Sequence, residues 1–347
     1  MSADTLTLAR PDDWHLHLRD GESLQAVLPD TARRFGRAIV MPNLVPPVRT
    51  VAEASAYRER ILAALPEELD FEPLMTLFLT EATAPEEILA ARASGFVHAV
   101  KYYPAGATTH SQSGVTDLAR CEAVFDAMQS AGLPLLLHGE VTDPDVDVFD
   151  REAVFIERHL QALADRFPRL KLVLEHVTTR QGVDFVLGAR EGIAATLTAH
   201  HLLMNRNELF RTGLRPHAYC LPVLKREAHR QALLAAATSG SPRFFLGTDS
   251  APHPRHAKES DCGCAGIYTA HAGIELYAEA FDQAGALDRL EGFASEHGPD
   301  FYGLPRATDR ITLVRQPMVI PAELPLGPHW LVPMRAGATV AWSLSAT

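Results

Sequence analysis

Short apolar runs, each followed by a stretch of helical composition, recur along most of this chain. Runs such as LPLLL and KLVL are apolar at consecutive positions, which is typical of parallel strands buried on both faces. The predicted strands cover residues 14–19, 38–43, 74–80, 97–101, 135–138, 172–176, 194–198 and 244–249. Helices are predicted between them, for example at residues 51–64, 85–94, 118–131, 151–167 and 224–239. The alternation predicts a parallel sheet with helices packed against it.

Eight strand–helix units in series, with no glycine-rich dinucleotide loop, favour an α/β fold of the (β/α)8 or TIM-barrel type over an open doubly wound sheet. No linker, charge block or short repeat interrupts the series, so residues 1–347 are predicted to form a single domain. After about residue 305 the segments RITLVRQ and HWLVPMRAGATVAWSLS predict a small β-rich C-terminal extension, 305–347, packed on the barrel.

Polar side chains stand where the apolar runs end. These residues are His15, His17, Asn43, Lys101, His138, His176 and Asp249. In a (β/α)8 barrel the C-terminal ends of all strands meet at one mouth, where catalytic groups from distant parts of the sequence gather. Closure also places the last strand beside the first, so Asp249 is expected to share a metal with His15 and His17.

His15-Leu16-His17 is an HxH pattern on a predicted strand. Residues two apart on a strand point the same way, so both imidazoles are expected to face the barrel interior, with Trp14, Leu16 and Leu18 in the helix layer. Imidazole is a good zinc ligand. A pair of core or surface histidines is the alternative explanation.

His138 and His176 each end an apolar run, and either one alone is equally consistent with a hydrogen-bonded core histidine. Two such histidines at strand ends of one barrel favour metal binding. Glu140 and Glu175 beside them are candidates to orient the imidazoles, or to form salt bridges. A carboxylate such as Asp249 after a strongly apolar strand is costly unless it is paired or bound to a metal. Its alternative role is a helix N-cap.

Lys101, in FVHAVKYYP, is the most diagnostic residue. A lysine that ends a buried strand normally pairs with an acid or reaches solvent. Two nearby cations would instead depress its pKa and leave a neutral amine that can add carbon dioxide. The carbamate would bridge two metals. Four histidines, one aspartate and this carbamate suffice for two zinc ions about 3.5–4 Å apart.

A set of motifs at these positions closely resembles the bacterial class II dihydroorotases of the amidohydrolase superfamily. The motifs are RPDDWHLHLRDG, MPNLVPPV, VKYYPAGATTHS, LLLHGEV, LEHVTT, PHAYCLPVLK, LGTDSAPH and KESDCGCAG. They occur in the same order and at matching spacing, from the N-terminus to FYGLP at 301–305. Tyr102 and His110 depart from the commoner residues of the family, and neither is a metal ligand.

The resemblance implies two zinc ions bridged by N6-carboxylated Lys101. One ion would be held by His15, His17, Lys101 and Asp249, and the other by Lys101, His138 and His176. A hydroxide between the ions would attack the ring amide of dihydroorotate and give N-carbamoyl-L-aspartate, and the reaction would run in reverse in de novo pyrimidine biosynthesis. Asp249 would be the catalytic acid and base, taking the proton and delivering it to the ring nitrogen.

The resemblance also implies the substrate contacts. Arg19, Asn43 and His253 match positions that bind the substrate carboxylate. The alternative role of Arg19 is a salt bridge with Asp20 or Asp13, and that of Asn43 is a position in a turn. Loop 104–114, small and polar, matches a mobile loop that closes over substrate through the hydroxyls of Thr108 and Thr109, with an ordinary surface loop as the alternative. Leu221 and Ala265 match positions that bind the ring through backbone groups.

Composition limits the partners. The formal net charge of −11 argues against broad contact with nucleic acid or an anionic membrane, so a small molecule is the expected partner. No signal peptide or apolar run of about 18 residues is present, and four cysteines do not form a disulfide framework, so a cytoplasmic protein is expected. Cys262 and Cys264 are either reduced thiols in a loop or a fragment of a thiolate metal site. The family implies a homodimer.

Two other functions remain open at this point. A related cyclic amidase acting on hydantoins, dihydropyrimidines or allantoin would share the metals, and Arg19 and Asn43 favour the acidic substrate over these. An inactive barrel that serves as a binding partner would be expected to have lost metal ligands, which this chain retains.

Overall fold

The fold is a closed barrel of parallel strands. The computed structural model describes residues 4–345. After an outer strand, β1 (Thr5–Ala9), eight strands form one parallel sheet in chain order. They are β2 (Asp12–Leu16), β3 (Arg37–Val40), β4 (Glu72–Phe78), β5 (Val97–Tyr102), β6 (Leu135–Leu137), β7 (Leu172–Leu174), β8 (Ile193–Leu197) and β9 (Phe244–Leu246). Asp249 N donates to His15 O at 2.8 Å and His17 N to Ser250 O at 3.1 Å, which joins the last strand to the first. The predicted (β/α)8 barrel is confirmed.

Helices follow the barrel strands, and most of them cover the outside of the barrel. They are α1 (Gly21–Ala32), α2 (Val51–Ala64), α3 (Pro85–Ser94), α4 (Glu122–Ala131), α5 (Arg151–Phe155), α6 (Gln161–Arg166), α7 (Arg180–Gly188), α8 (Ala199–Leu203), α9 (Glu227–Thr238), α10 (Arg255–Lys258), α11 (Gly273–Gln283) and α12 (His297–Tyr302). A π-helical turn, Ile156–Leu160, joins α5 to α6. α2 begins with a capping box formed by Thr50 and Glu53, a local reason for the match with its predicted bounds.

The barrel interior is a packed core that receives one buried side chain from every strand. These residues are Trp14, Ile39, Leu74, Ala99, Leu136, Val173, Ala194 and Phe245. The expectation that Trp14 lies in the helix layer is wrong, because an irregularity in the pairing of β2 between Asp13 and Leu16 shifts the register there. Leu16 and Leu18 do pack in the outer layer.

α12 seals the N-terminal end of the barrel. Tyr302 stacks on Trp14 with ring centroids 4.4 Å apart, and Lys171, just before β7, donates to Phe301 O at 2.7 Å. The opposite end of the barrel is the mouth.

All barrel strands except β5 end earlier than predicted at the mouth. β2 ends at Leu16 and β9 at Leu246, so His17, Arg19 and Asp249 lie beyond the regular pairing. Arg19, His176 and Asp249 have positive φ values of 61°, 41° and 46°, a conformation that cannot continue a strand. Strained backbone of this kind at non-glycine residues clusters at functional sites.

The C-terminal part adds short antiparallel strands, as predicted. They are β10 (Arg310–Val314), β11 (Met318–Val319), β12 (Leu324–Leu326), β13 (His329–Leu331), β14 (Thr339–Val340) and β15 (Ser343–Leu344). β10 lies between β1 and β15, while β11 pairs with β14 and β12 with β13. Residues 346–347 of the predicted extension, and residues 1–3, lie outside the described residues. Between residues 4 and 345 no helix has the length and apolar character needed to cross a membrane.

Candidate metal centre

The predicted ligands converge at the mouth. They line or adjoin a cavity whose walls include His15, His17, Arg19, Asn43, Tyr103, Thr108, Thr109, His138, His176, Leu221, Asp249 and Ala265. Asp249 Oδ1 lies 3.1 Å from His17 Nε2 and 3.4 Å from His15 Nε2. His15, His176 and Asp249 offer ligand atoms within 4.8 Å of one another. The His138 ring follows, with its centroid 4.8 Å from that of His176.

The protonation states suit metal binding. Burial lowers the pKa of His17 to about 4 and that of His176 well below its usual value, so these imidazoles are neutral at neutral pH. Burial alone would raise the pKa of Asp249, but His15, His17 and His176 hold it well below the ordinary value. A neutral imidazole and an ionised carboxylate are the forms that bind zinc.

Lys101 is the least satisfied group of the site. Its side chain is fully buried, and Nζ has no hydrogen-bond partner among residues 4–345. Nζ lies 4.9 Å from the centroid of the Tyr103 ring. Burial lowers the pKa of Lys101 to about 8. An orphaned buried amine whose charge acts on His138, His176 and Asp249 is the arrangement that a bridging carbamate would explain, so the residues fit the predicted metals.

Two buried carboxylates orient the imidazoles. Glu140 Oε2 accepts from His138 Nε2 at 2.9 Å. Glu175 Oε2 accepts from His15 Nδ1 at 2.8 Å and from the Thr196 hydroxyl. Glu175 follows the end of β7 and orients the ring of His15 on the first barrel strand, whereas Nδ1 of its neighbour His176 has no hydrogen-bond partner among residues 4–345. Such carboxylates fix the tautomer of a ligand and raise its basicity.

Thr196 and Asp13 also support the ligands, and the sequence reasoning missed both. Thr196 Oγ1 accepts from the His176 backbone N–H at 2.8 Å. Asp13 accepts from the backbone N–H of Thr248 at 2.8 Å and of His15 at 3.1 Å, and burial raises its pKa to about 7. Asp13 stands two residues before His15, which was the available signal.

Arg19 points into the cavity and forms neither of the salt bridges considered for it. Its Nε donates to Pro252 O at 3.2 Å, and one terminal nitrogen donates to His253 Nε2 at 3.0 Å. Asp20 pairs with Arg60 instead. His253 Nε2 also lies 3.0 Å from Ala265 O. A single ring nitrogen either accepts from Arg19 or donates to Ala265, so this contact is exchangeable.

Loop 104–114 packs over the cavity. Asn43 Nδ2 donates to Thr109 O at 3.1 Å, and the Thr109 hydroxyl donates to Ala265 O at 3.3 Å. Asn43 Oδ1 accepts from His17 Nδ1 at 2.9 Å, so the amide predicted to bind substrate also orients a predicted metal ligand. Ser111 is fully buried and bonds to Thr108, which gives the loop an internal anchor that its composition did not indicate.

A second group of candidate ligands lies nearby. His200, His201 and Cys220 are buried within 4.8 Å of one another. His201 is already satisfied, because Nδ1 lies 2.8 Å from the Thr198 hydroxyl and Nε2 donates to Pro222 O at 3.1 Å. Cys262 and Cys264 are free thiols and belong to neither group within the described chain.

Comparisons with known proteins agree with this geometry. The model of the amidohydrolase family matches residues 12–313. The dihydroorotase of Nitrosomonas europaea is 66% identical over 346 residues, covering 99% of both chains. The crystal structure of the dihydroorotase from Campylobacter jejuni matches with a TM-score of 0.91 at 33% identity, over 100% of this chain and 99% of that one. A dihydroorotase from Saccharomyces cerevisiae in complex with 5-fluoroorotic acid matches with a TM-score of 0.90 at 33% identity, over 99% of each chain.

Proposed function

The chain belongs to the dihydroorotases of the amidohydrolase family, which are metal-dependent hydrolases, and we propose which of its residues carry out the reaction. The proposed reaction is the reversible hydrolysis of the ring amide of dihydroorotate to N-carbamoyl-L-aspartate. The observation that carries the residue assignments is the orphaned Lys101 amine, which is buried close enough to His138, His176 and Asp249 for its charge to act on them. The 66% identity to dihydroorotases favours this reaction over that of other cyclic amidases and over an inactive barrel.

We assign two zinc sites to the six converging residues. His15, His17, Asp249 and carboxylated Lys101 would hold one ion, and Lys101, His138 and His176 the other. Zinc in such a site lowers the pKa of bound water towards 7 and polarises a carbonyl oxygen. The low pKa of Asp249 and the neutral imidazoles support the assignment, since none of these groups must lose a proton at neutral pH to become a ligand.

The protein's own groups perform the remaining steps. Asp249 would accept a proton during attack on the ring carbonyl and deliver it to the departing ring nitrogen. Arg19 offers guanidinium donors to the substrate carboxylate, helped by Asn43 and by His253 when its contact with Arg19 exchanges. Thr108 and Thr109 on loop 104–114 close over the substrate and exclude water, while the backbone at Leu221 and Ala265 contacts the ring.

The wider setting is proposed on the same premise. The enzyme would act in pyrimidine biosynthesis in the cytoplasm, where its four free cysteines would remain reduced. The net charge of −11 supports a small-molecule partner rather than nucleic acid. A homodimer is carried over from the family, and sedimentation of the purified protein tests it.

One assay tests the proposal. Ring opening of dihydroorotate and of hydantoin is measured before chelation, after chelation, and after zinc is restored. We expect turnover of dihydroorotate, its loss with chelator and its return with two zinc ions per chain, with hydantoin a far poorer substrate. NMR with ¹³C-labelled bicarbonate is expected to show a carbamate in the wild type that is absent in Lys101→Met. A preference for hydantoin, or full turnover with an unmodified amine at Lys101, would contradict the proposal.

A further inference from the structure

Lys258 has an unusual set of contacts beside the cavity. It ends the one-turn helix α10, its side chain is only 3% exposed, and its ammonium donates to three backbone carbonyls. The distances are 2.7 Å to Tyr219 O, 2.9 Å to Cys264 O and 2.7 Å to Gly266 O. An ammonium group has three N–H donors, so all of them are used on the main chain.

These carbonyls belong to the two segments that form one wall of the cavity. Tyr219 stands two residues before Leu221, and Cys264 and Gly266 flank Ala265 on both sides. Leu221 and Ala265 both line the cavity. One backbone bond, from Gly266 N to Tyr219 O at 3.1 Å, also links the segments. Neither segment is part of a regular sheet, and the Lys258 ammonium bonds to both of them.

The environment of Lys258 shows that an ordinary ion pair does not explain its burial. No carboxylate within residues 4–345 pairs with it, and desolvation lowers the pKa of Lys258 to about 8. An unpaired buried cation is costly unless polar groups surround it. Three carbonyl oxygens supply that environment, and they do so only when the two segments have the spacing seen here. The charge and the wall geometry are therefore coupled.

We propose that Lys258 is a positioning residue that sets the spacing of the backbone at Leu221 and Ala265, and thereby the fit of the substrate ring. The inference rests on the proposed function, because that function places the ring against these two residues. Lys258 is not in the wall of the cavity itself and would act through the main chain. Its loss is expected to weaken binding of the ring while leaving the metals in place.

The test compares Lys258→Met, which keeps the length and apolar stem but removes charge and donors, with the wild type. We expect KM for dihydroorotate to rise roughly tenfold to a hundredfold, since small misplacements of a binding wall have effects of that order. We expect kcat to change less than KM, and zinc content per chain to equal that of the wild type. Lys171→Met is the matched control, because Lys171 donates to one carbonyl at the sealed end of the barrel. Its KM is expected to stay unchanged.

The outcomes separate the two levels of the argument. The positioning role would be overturned by a folded Lys258→Met variant that keeps the wild-type KM, that loses zinc, or in which only kcat falls. In each of these cases, turnover of dihydroorotate by the wild type would still uphold the proposed function. An inactive, zinc-loaded wild type would overturn the proposed function itself. If Lys258→Met does not fold, Lys258→Gln, which keeps two N–H donors, is measured instead. A rise in KM smaller than the one expected for Lys258→Met supports the positioning role, and an unchanged KM refutes it.

Discussion

Glu175 offers the sharpest test of how this centre is supported, because one carboxylate braces residues assigned to both metals. It accepts from the His15 ring directly, and through the Thr196 hydroxyl it fixes the backbone of His176. The perturbation is Glu175→Gln, which keeps the shape and removes the charge. The carboxylate is 1% exposed, so solvent does not screen the change.

The expected size follows from the two bonds. A hydrogen bond to a charged group contributes about 1.5–3 kcal/mol, and a neutral acceptor retains roughly half of that. Two bonds weakened by half lose about 1.5–3 kcal/mol in total, which is about tenfold to a hundredfold in zinc affinity at roughly 1.4 kcal/mol per factor of ten. Loss of a carboxylate that orients a zinc ligand has effects of that range in metalloenzymes.

The assay is zinc competition against a chromophoric chelator, together with kcat/KM at saturating zinc. Glu140→Gln, which weakens one bond to His138, is expected to lower zinc affinity about threefold to tenfold, and for a single ion. Glu275→Gln is the matched control, because Glu275 is equally buried and pairs with Arg34 at 2.8 Å away from the cavity. It should lower the melting temperature and leave zinc affinity unchanged. Zinc affinity of Glu175→Gln within twofold of the wild type would refute the reasoning.

Three further predictions follow, two from contacts at the mouth and one from the burial of a histidine. Arg19→Lys is expected to raise KM for dihydroorotate while zinc content stays constant, because a lysine cannot supply the guanidinium fork; zinc loss in this variant would make Arg19 structural instead. Thr108→Ala combined with Thr109→Val should lower kcat, since the Thr109 hydroxyl bonds to Ala265 O across the cavity; an unchanged kcat would leave loop 104–114 as a connection only. Burial lowers the pKa of His200 from 6.5 to about 4, so between these pH values the unfolded chain binds a proton that the folded chain does not. The free energy of unfolding should therefore fall as pH drops from about 6.5 to about 4. From pH 6.5 to 5 this group contributes about 2 kcal/mol of that loss, and His200→Leu should show a shallower decline of melting temperature; an identical slope would show that His200 has no part in it.

The strand–helix alternation and the chemistry at the strand ends were readable from the sequence because both are local patterns. Consecutive apolar residues indicated buried strands, and each polar residue after such a run indicated a position at the mouth. The wrong placement of Trp14 came from assuming a regular two-residue period, which the irregular pairing of β2 breaks. The partner of Glu175 depends on which strand lies across the barrel from it, and the linear sequence does not indicate which residues are close across the barrel.

The contacts of Lys258 could not be predicted from the sequence for a related reason. Its three acceptors are main-chain carbonyls, which every residue type provides, so no side-chain pattern in the sequence marks them. The burial of Ser111 within a small, polar loop is similar, because its bonds are made within the loop after it has folded.

The first and last strands of the barrel meet at a junction, here called the seam, which has a consequence for the order in which the site is completed during protein synthesis. Asp13 and Thr248 meet across 235 residues, and the groups assigned to one zinc ion lie on both sides of that seam. A nascent chain that has not yet released Asp249 from the ribosome lacks a complete site, however well its earlier units have folded. Contacts this far apart in the chain are slow to form, so binding of the zinc ion assigned to His15, His17 and Asp249 is expected to report on closure of the barrel in refolding experiments.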